Sequence, residues 1–287
     1  MNTTDDPLQL PESPFPGILP FSYAQRDVFF GRDSEARSLA RLAVMYRGVL
    51  LYADSGTGKS SLVDAGLIPG VLEDGFQPER LRIQPVMDQE IIVKRISLNP
   101  DGGPPYLPSI FSAQEELDQV VLSIDDFLAQ VRRNAASAHT MLIFDQFEEW
   151  VTLFEDGNSG TAGDERRQIH DRLAEAITGL ILEQALPVKV VIVFREDYLA
   201  KMDSLFRLCP QLPDQYLRLG HLHSDQIARL IRHPYEKFPG QFKPEISASL
   251  AGQIQEQFIE RSRGADPFLT EVQIVCQQLF SSGKAGS

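Results

Sequence analysis

The segment RGVLLYADSGTGKSSLVDAGL, residues 47–67, restricts the possible folds of this chain more than any other. A continuous apolar run reads as a strand covered on both faces. It passes through a glycine-rich turn into a helix, which Pro69-Gly70 is expected to end. Backbone N–H groups at such a turn converge at a helix N-terminus, where the helix dipole also favours an anion. The spacing is that of a phosphate-binding loop, G-x-x-x-x-G-K-[ST], except that Ala53 replaces the first glycine. Ala53 falls at the strand's end, outside the inner turn, so the substitution should be tolerated. Gly56 and Gly58 occupy the positions that need positive φ or close approach to a ligand. In this pattern Ser55, Gly56, Thr57, Gly58 and Ser61 shape the cradle. Lys59 would reach the β/γ-phosphates, and the Ser60 hydroxyl would ligate Mg²⁺.

Further apolar runs extend the same architecture. SEARSLARLAV has helical spacing with Ser34 as N-cap, and SIDDFLAQVRRNAASA opens on a Ser123/Asp126 capping box. TMLIFDQF and VKVVIVF are short unbroken apolar runs on either side of a helical stretch, DERRQIHDRLAEAITGLILEQAL. RLRIQPV and IIVKRISL also suit strands, whereas NPDGGPPYLPS can only be a loop. Strands alternating with helices imply an α/β fold built on a parallel sheet sandwiched by helices. Beyond about Tyr216 the pattern becomes purely helical, which predicts a small all-α lid domain. The expected organisation is an extended Pro-rich segment at 1–21, an α/β core at 22–218, a helical lid at 219–280 and a flexible tail at 281–287.

Two of the strands end in charged residues. In parallel α/β sheets the ligand crevice lies beyond the strands' C-terminal ends. Asp145, after MLIF, would hold Mg²⁺ through water. Either Glu148 or Glu149 could position or deprotonate an attacking water, with Glu148 preferred. Arg195, in VIVFRED, could contact a γ-phosphate and report its loss; the bland alternative is a surface arginine paired with Glu196 or Asp197. A net charge of −13 argues against a nucleic-acid or anionic-membrane partner. No apolar run approaches the ~20 residues of a membrane helix, and the N-terminus lacks the pattern of a secretion signal. Cys209 and Cys276 are too separated for a C-x-x-C site and read as buried thiols, so the expected location is cytoplasmic.

PFPGILPF, VFFGRDSEARSLARL, SGTGKSSLVDAGLIPG, LIFDQFEEWVTLF and VVIVFREDYLAKM occur in one order. Together they resemble the bacterial novel STAND nucleoside triphosphatases, signal-transduction ATPases with numerous domains related to NACHT proteins. The resemblance covers roughly Pro14 to Leu279. It implies that Phe30, Gly31 and Arg32 lie near adenine and ribose, and that Lys59 and Ser60 serve phosphate and Mg²⁺. Asp145 becomes the Mg²⁺-linked aspartate, Arg195 the first sensor, and Pro267, in GADP, the lid residue against the base. It further implies a slowly hydrolysing ATP/ADP switch that couples nucleotide state to domain opening and oligomerisation in bacterial signalling, including antiviral defence. Members usually continue into a winged-helix module and sensor or effector domains. Nothing after Phe280 could supply these, so the chain is expected to be a fragment or a minimal ATPase core completed by partners.

Two rival functions remain open: a nucleotide-binding scaffold that does not hydrolyse, and a nucleic-acid-stimulated P-loop ATPase, which the acidic composition disfavours. His221 and His223 alternate like strand neighbours and could bind a metal, but no third ligand lies nearby in sequence, so they read as structural. His233, before Pro234, reads as shaping a kink. Trp150, Phe147 and Phe154 read as packing beneath the acidic loop.

Overall fold

Strand β1 (Gly48–Ala53) is buried at every position, as is β5 (Thr140–Phe144), and β6 (Val188–Arg195) is buried at most of its positions. Apolar side chains on both faces of a strand demand cover on both sides, the condition met inside a helix-flanked parallel sheet. The computed structural model describes residues 10–85, 90–96, 119–152, 161–223, 226–261 and 269–285. The chain packs as two compact units. One comprises Ser34–Ser55 and Leu67–Leu219; the other comprises Met1–Asp33, Gly56–Gly66 and Gly220–Ser287.

The first unit is built on a seven-stranded sheet of order β4-β3-β2-β5-β6-β1-β7, with β2 at Gln77–Pro85, β3 at Glu90–Arg95, β4 at Gln119–Ser123 and β7 at Tyr216–Arg218. β2, β5, β6, β1 and β7 run parallel, whereas β3 and β4 add an antiparallel meander at one edge. The sheet is therefore mixed rather than wholly parallel. The meander follows from the short link between β2 and β3, too short for the crossover that a parallel neighbour requires. Neither β4 nor β7 is evident in sequence: β4 has five residues, and β7 has three.

Helices cover the sheet. The first, α1 (Asp33–Met45), begins one residue ahead of Ser34, which lies inside its first turn rather than capping it. The phosphate-loop helix starts as α2 (Lys59–Ser61), widens into a π segment at Leu62–Leu67 and resumes as α3 (Ile68–Glu73). Pro69-Gly70 does not end it. Pro69 lies in the first two positions of α3, where a missing N–H is tolerated. The true stop is Gly75, with φ +82°: Phe76 N–H donates to Val71 O and Gly75 N–H to Leu72 O, a Schellman closure. Helix α4 (Ile124–Ala135) starts at Ser123, whose Oγ accepts from Asp126 N–H at 3.0 Å. It buries Ile124, Phe127 and Val131 against the sheet's core. Each such side chain contributes about 1.5–3 kcal/mol. The short α5 (Glu148–Thr152) and long α6 (Thr161–Leu182) follow, and α7 (Asp203–Leu208) lies beyond β6. Arg47, just before β1, donates to the carbonyls of Leu180, Ile181, Glu183 and Leu186, closing the α6 C-terminus where carbonyls lack helical partners.

The second unit contains α8 (Ile227–Lys237), α9 (Ala248–Arg261) and α10 (Leu269–Ala285). Its core gathers Phe15, Phe21, Ile231, Phe258, Cys276 and Phe280, among others. The Pro-rich N-terminal segment is anchored by Phe15 and Phe21, which are both buried, and Ile18 and Leu19 between them are exposed. Among its described residues, from Leu10 on, the prolines leave no regular element until a 3-10 turn at Tyr23–Val28.

Candidate functional site

In the second unit the loop takes the shape its glycines permit. Gly56 and Gly58 have φ +77° and +95°, conformations a side chain would strain. Gly58 directly precedes α2, so Lys59 and Ser60 open the helix. Three tethers hold the loop's outer side. Arg32, 3% exposed, donates from Nη2 to Thr57 O at 3.3 Å and to Gly220 O at 2.7 Å. Thr270, on α10, donates to Gly56 O at 3.4 Å, and Phe21 N–H donates to Ser61 Oγ at 3.1 Å. In a trans peptide the C=O and N–H point in opposite directions. Fixing the Gly56 and Thr57 carbonyls thus turns the Thr57 and Gly58 N–H groups to the other side, as an anion cradle requires.

Beside this loop lies a shallow apolar cleft lined by Leu222, Gln226, Ile227, Leu230, Leu269 and Val272. Gly31, with φ +82°, abuts it: a Cβ there would come within 2.5 Å of Leu230. Leu269 in turn stands 3.4 Å from where a Gly58 Cβ would lie. Gly31, Arg32, the loop and the cleft are therefore assembled together. Phe30 directly precedes Gly31. Its ring stacks on His233 at 4.2 Å with an interplanar angle of 1°, and Lys237 Nζ lies 5.2 Å from its centroid. His233 thus pins the segment before Gly31, a role its position beside Pro234 did not suggest. Pro267 and Phe154 lie outside the described residues.

In the first unit, Asp145 follows β5 and donates its N–H to Leu81 O on β2. Its carboxylate accepts from Arg80 Nη2 at 2.5 Å, and the two side chains are 3% and 4% exposed. Gln146 then adopts φ +54°, a left-handed conformation rare outside glycine, which turns the chain into α5. Glu148 and Glu149 open that helix, and Glu149 Oε2 accepts from Gln84 Nε2 at 2.8 Å. Arg195 sits beside Ala53 in the β1–β6 register and pairs with Asp197 through two contacts, 2.8 and 3.2 Å. The pairing considered from sequence therefore exists, between half-exposed partners whose mutual attraction is weak. Glu196 instead accepts from Arg218 Nε, at the end of β7. Sequence reasoning missed Arg80, Gln84, Arg218 and Thr270. Arg80 and Gln84 carry one signal, polar residues alternating with the apolar Leu81 and Ile83 along the strand.

Trp150 is fully buried and Phe147 nearly so, beneath the acidic turn. His170 on α6 stacks on Trp150 at 4.1 Å and 6°. Burial lowers the His170 pKa below its usual value, only partly offset by a hydrogen bond to Asp171. The folded chain thus holds this proton less tightly than the unfolded one. The contribution to stability is complete above the unfolded value of about 6.5 and is lost as pH falls from there through the lowered folded value. His170→Phe should accordingly flatten the loss of melting temperature between about pH 7.5 and 5; an unchanged slope would remove His170 from that balance.

Within the second unit the loop's chemistry suits the phosphates of a nucleotide: a cradle of amides, a lysine, and a hard oxygen donor on Ser60. Among the described residues there is no cluster of three or more His, Cys, Asp or Glu placed to hold a metal by themselves. Nor is any helix among them long and apolar enough to cross a membrane.

The model of the family described as Novel STAND NTPase 1 matches residues 14–280. No curated protein matches the chain at a significant level. Among solved structures, the Walker-type ATPase of Pyrococcus abyssi is similar at 12% identity with a TM-score of 0.53, over 93% of this chain and 72% of the other. The ORC2 protein of Aeropyrum pernix, in its ADP form, is similar at 11% identity with a TM-score of 0.53, over 90% of this chain and 65% of that one, just under two thirds of its length. At such identities the likeness carries the fold: an α/β P-loop ATPase architecture with a helical C-terminal region.

Proposed function

The chain belongs to the novel STAND NTPase 1 family, and on that premise we propose that it is an ATP-binding, slowly hydrolysing molecular switch. The observation that carries this reading is the tethered loop, whose left-handed glycines and fixed carbonyls prearrange backbone amides for phosphate. Lys59 would neutralise charge on the β/γ-phosphates, and the amides of Thr57 and Gly58 would bind phosphate oxygens. The apolar cleft beside Gly31 would take the base. When bound through Ser60 and, by way of water, Asp145, Mg²⁺ supplies charge neutralisation at the phosphates. Glu148 would orient the attacking water and accept its proton, with Glu149 the alternative. Arg195 would leave Asp197 for the γ-phosphate, exchanging an exposed carboxylate for a more highly charged partner.

In the switch reading, ADP sustains a resting state, while ATP and a trigger favour domain opening and self-association. Sensor and effector functions would come from other domains or partner proteins, in a cytoplasmic setting, bacterial signalling and antiviral defence included. Glu148→Gln tests the hydrolytic step. It should retain ATP while phosphate release falls about 10²- to 10⁴-fold. If Glu149→Gln shows that loss instead, the base is reassigned. If neither variant departs from wild-type phosphate release, the chain is a nucleotide-binding scaffold rather than an enzyme.

A further inference from the structure

Two consecutive residues of the second unit, Gly31 and Arg32, meet both the phosphate loop and the apolar cleft of that unit. Gly31 faces the cleft: a Cβ there would stand 2.5 Å from Leu230 and 3.9 Å from Leu222, two of its walls. Arg32 is buried, and one of its nitrogens reaches in two directions. Nη2 carries two N–H groups; it donates to Thr57 O in the loop and to Gly220 O, two residues ahead of Leu222. The peptide that presents Thr57 O to Arg32 carries the Gly58 N–H of the cradle on its other side. A phosphate bound to that N–H polarises the peptide and strengthens its carbonyl as an acceptor. The same guanidinium nitrogen links that change to the segment leading into the cleft wall.

We propose that Arg32 is a positioning residue that couples recognition of the base to recognition of the phosphates, so that filling either half of the site raises affinity for the other. This rests on the nucleotide reading given above, and it assigns Arg32 no contact with the nucleotide itself. A cradle and a cleft joined through one nitrogen share a favoured relative placement, which a ligand in either half stabilises. The second ligand then meets a segment already in place, and the binding energy it would have spent on ordering appears as affinity. Such coupling is reciprocal, because it is a difference between binding free energies. Its consequence is selectivity for intact nucleotides over the nucleosides and inorganic phosphates that share their parts.

The test is displacement of fluorescent ADP from the full chain by adenosine and by inorganic pyrophosphate, singly and mixed. In the wild type the mixture should displace the probe as though each fragment bound about tenfold more tightly in the presence of the other. Arg32→Gln, too short to span both carbonyls, should bring that factor to about one while each fragment alone still displaces the probe. Arg32→Lys keeps the buried charge but loses the planar fork, and should bring the factor below about threefold. A purely structural role for Arg32 would weaken both fragments and leave the factor unchanged, overturning the proposal. A wild-type mixture that displaces the probe only as independent fragments do, or not at all, overturns it as well. If neither variant folds, the wild-type factor decides: about tenfold supports the coupling, and about one refutes it. Binding of fluorescent ADP without coupling would leave the nucleotide reading intact, whereas failure of the probe to bind would remove both.

Discussion

Lys59→Ala is expected to lower ATP turnover by about 10²- to 10³-fold, the loss typical of removing one preorganised group that stabilises transition-state charge. Lys59 is the first residue of α2, following a glycine in a left-handed conformation, so its backbone position is dictated by the loop and not by its side chain. The three tethers of the loop, from Arg32, Thr270 and Phe21, involve Thr57 O, Gly56 O and Ser61 Oγ. Substitution at 59 leaves all of them in place. Alanine is also the best helix former, and the side chain is only half-buried. The variant should therefore melt within a few degrees of wild type while losing most affinity for fluorescent ATP. Phosphate release, nucleotide titration and a thermal melt on the same preparation separate the outcomes. Loss of function with an unchanged melt supports the charge role. Wild-type affinity and turnover would refute the assignment of this loop to phosphate.

The prominence of this loop in the sequence has a simple physical basis. Positive φ, a close ligand and a helix start each impose a residue type at a fixed spacing, so Gly56, Gly58, Lys59 and Ser60 announce themselves locally. Asp145 and Arg195 are visible for a related reason: each is a charge at the end of an unbroken apolar strand. The helices of the C-terminal region are legible through their apolar periodicity, and the β1, β5 and β6 strands through their length and hydrophobicity. What escaped is what depends on distant partners. Arg80 looks like ordinary alternation along a strand until β5 is placed beside β2, because the register that brings it to Asp145 is a property of two strands. Thr270 donates to a carbonyl 214 residues away in sequence, and nothing local distinguishes it from other helix-surface threonines. The helix stop was misjudged because Pro69-Gly70 is a strong local breaker, but the preceding π segment alters the backbone register and lets the chain continue to Gly75. β7 pairs only through Tyr216, Leu217 and Arg218, too few residues for a period-2 pattern to emerge.

The largest loss of stability among polar substitutions should follow Asp145→Asn, which takes from the buried Arg80 guanidinium its carboxylate contact at Asp145. Removing one member of a buried ion pair costs about 3–5 kcal/mol, because the remaining charge keeps its desolvation penalty without its compensation. Both partners here lie almost wholly out of water, so solvent screening offers little relief. Arg80→Gln should cost a comparable amount for the mirror-image reason. Combining the two replaces an ion pair with two neutral amides that can still hydrogen-bond to each other. The double variant should then be more stable than either single one, close to wild type, as expected when a charged pair is exchanged for a neutral one. Urea denaturation of the four proteins in EDTA gives the coupling energy directly, free of any contribution from bound metal. In melting temperature, each kcal/mol corresponds to about 2–4 °C for a chain of this size. Additive losses in the double variant would show that Arg80 and Asp145 contribute independently and that their contact is incidental. A large positive coupling would establish the pair as a single charge-neutral unit of the sheet, formed before any nucleotide binds.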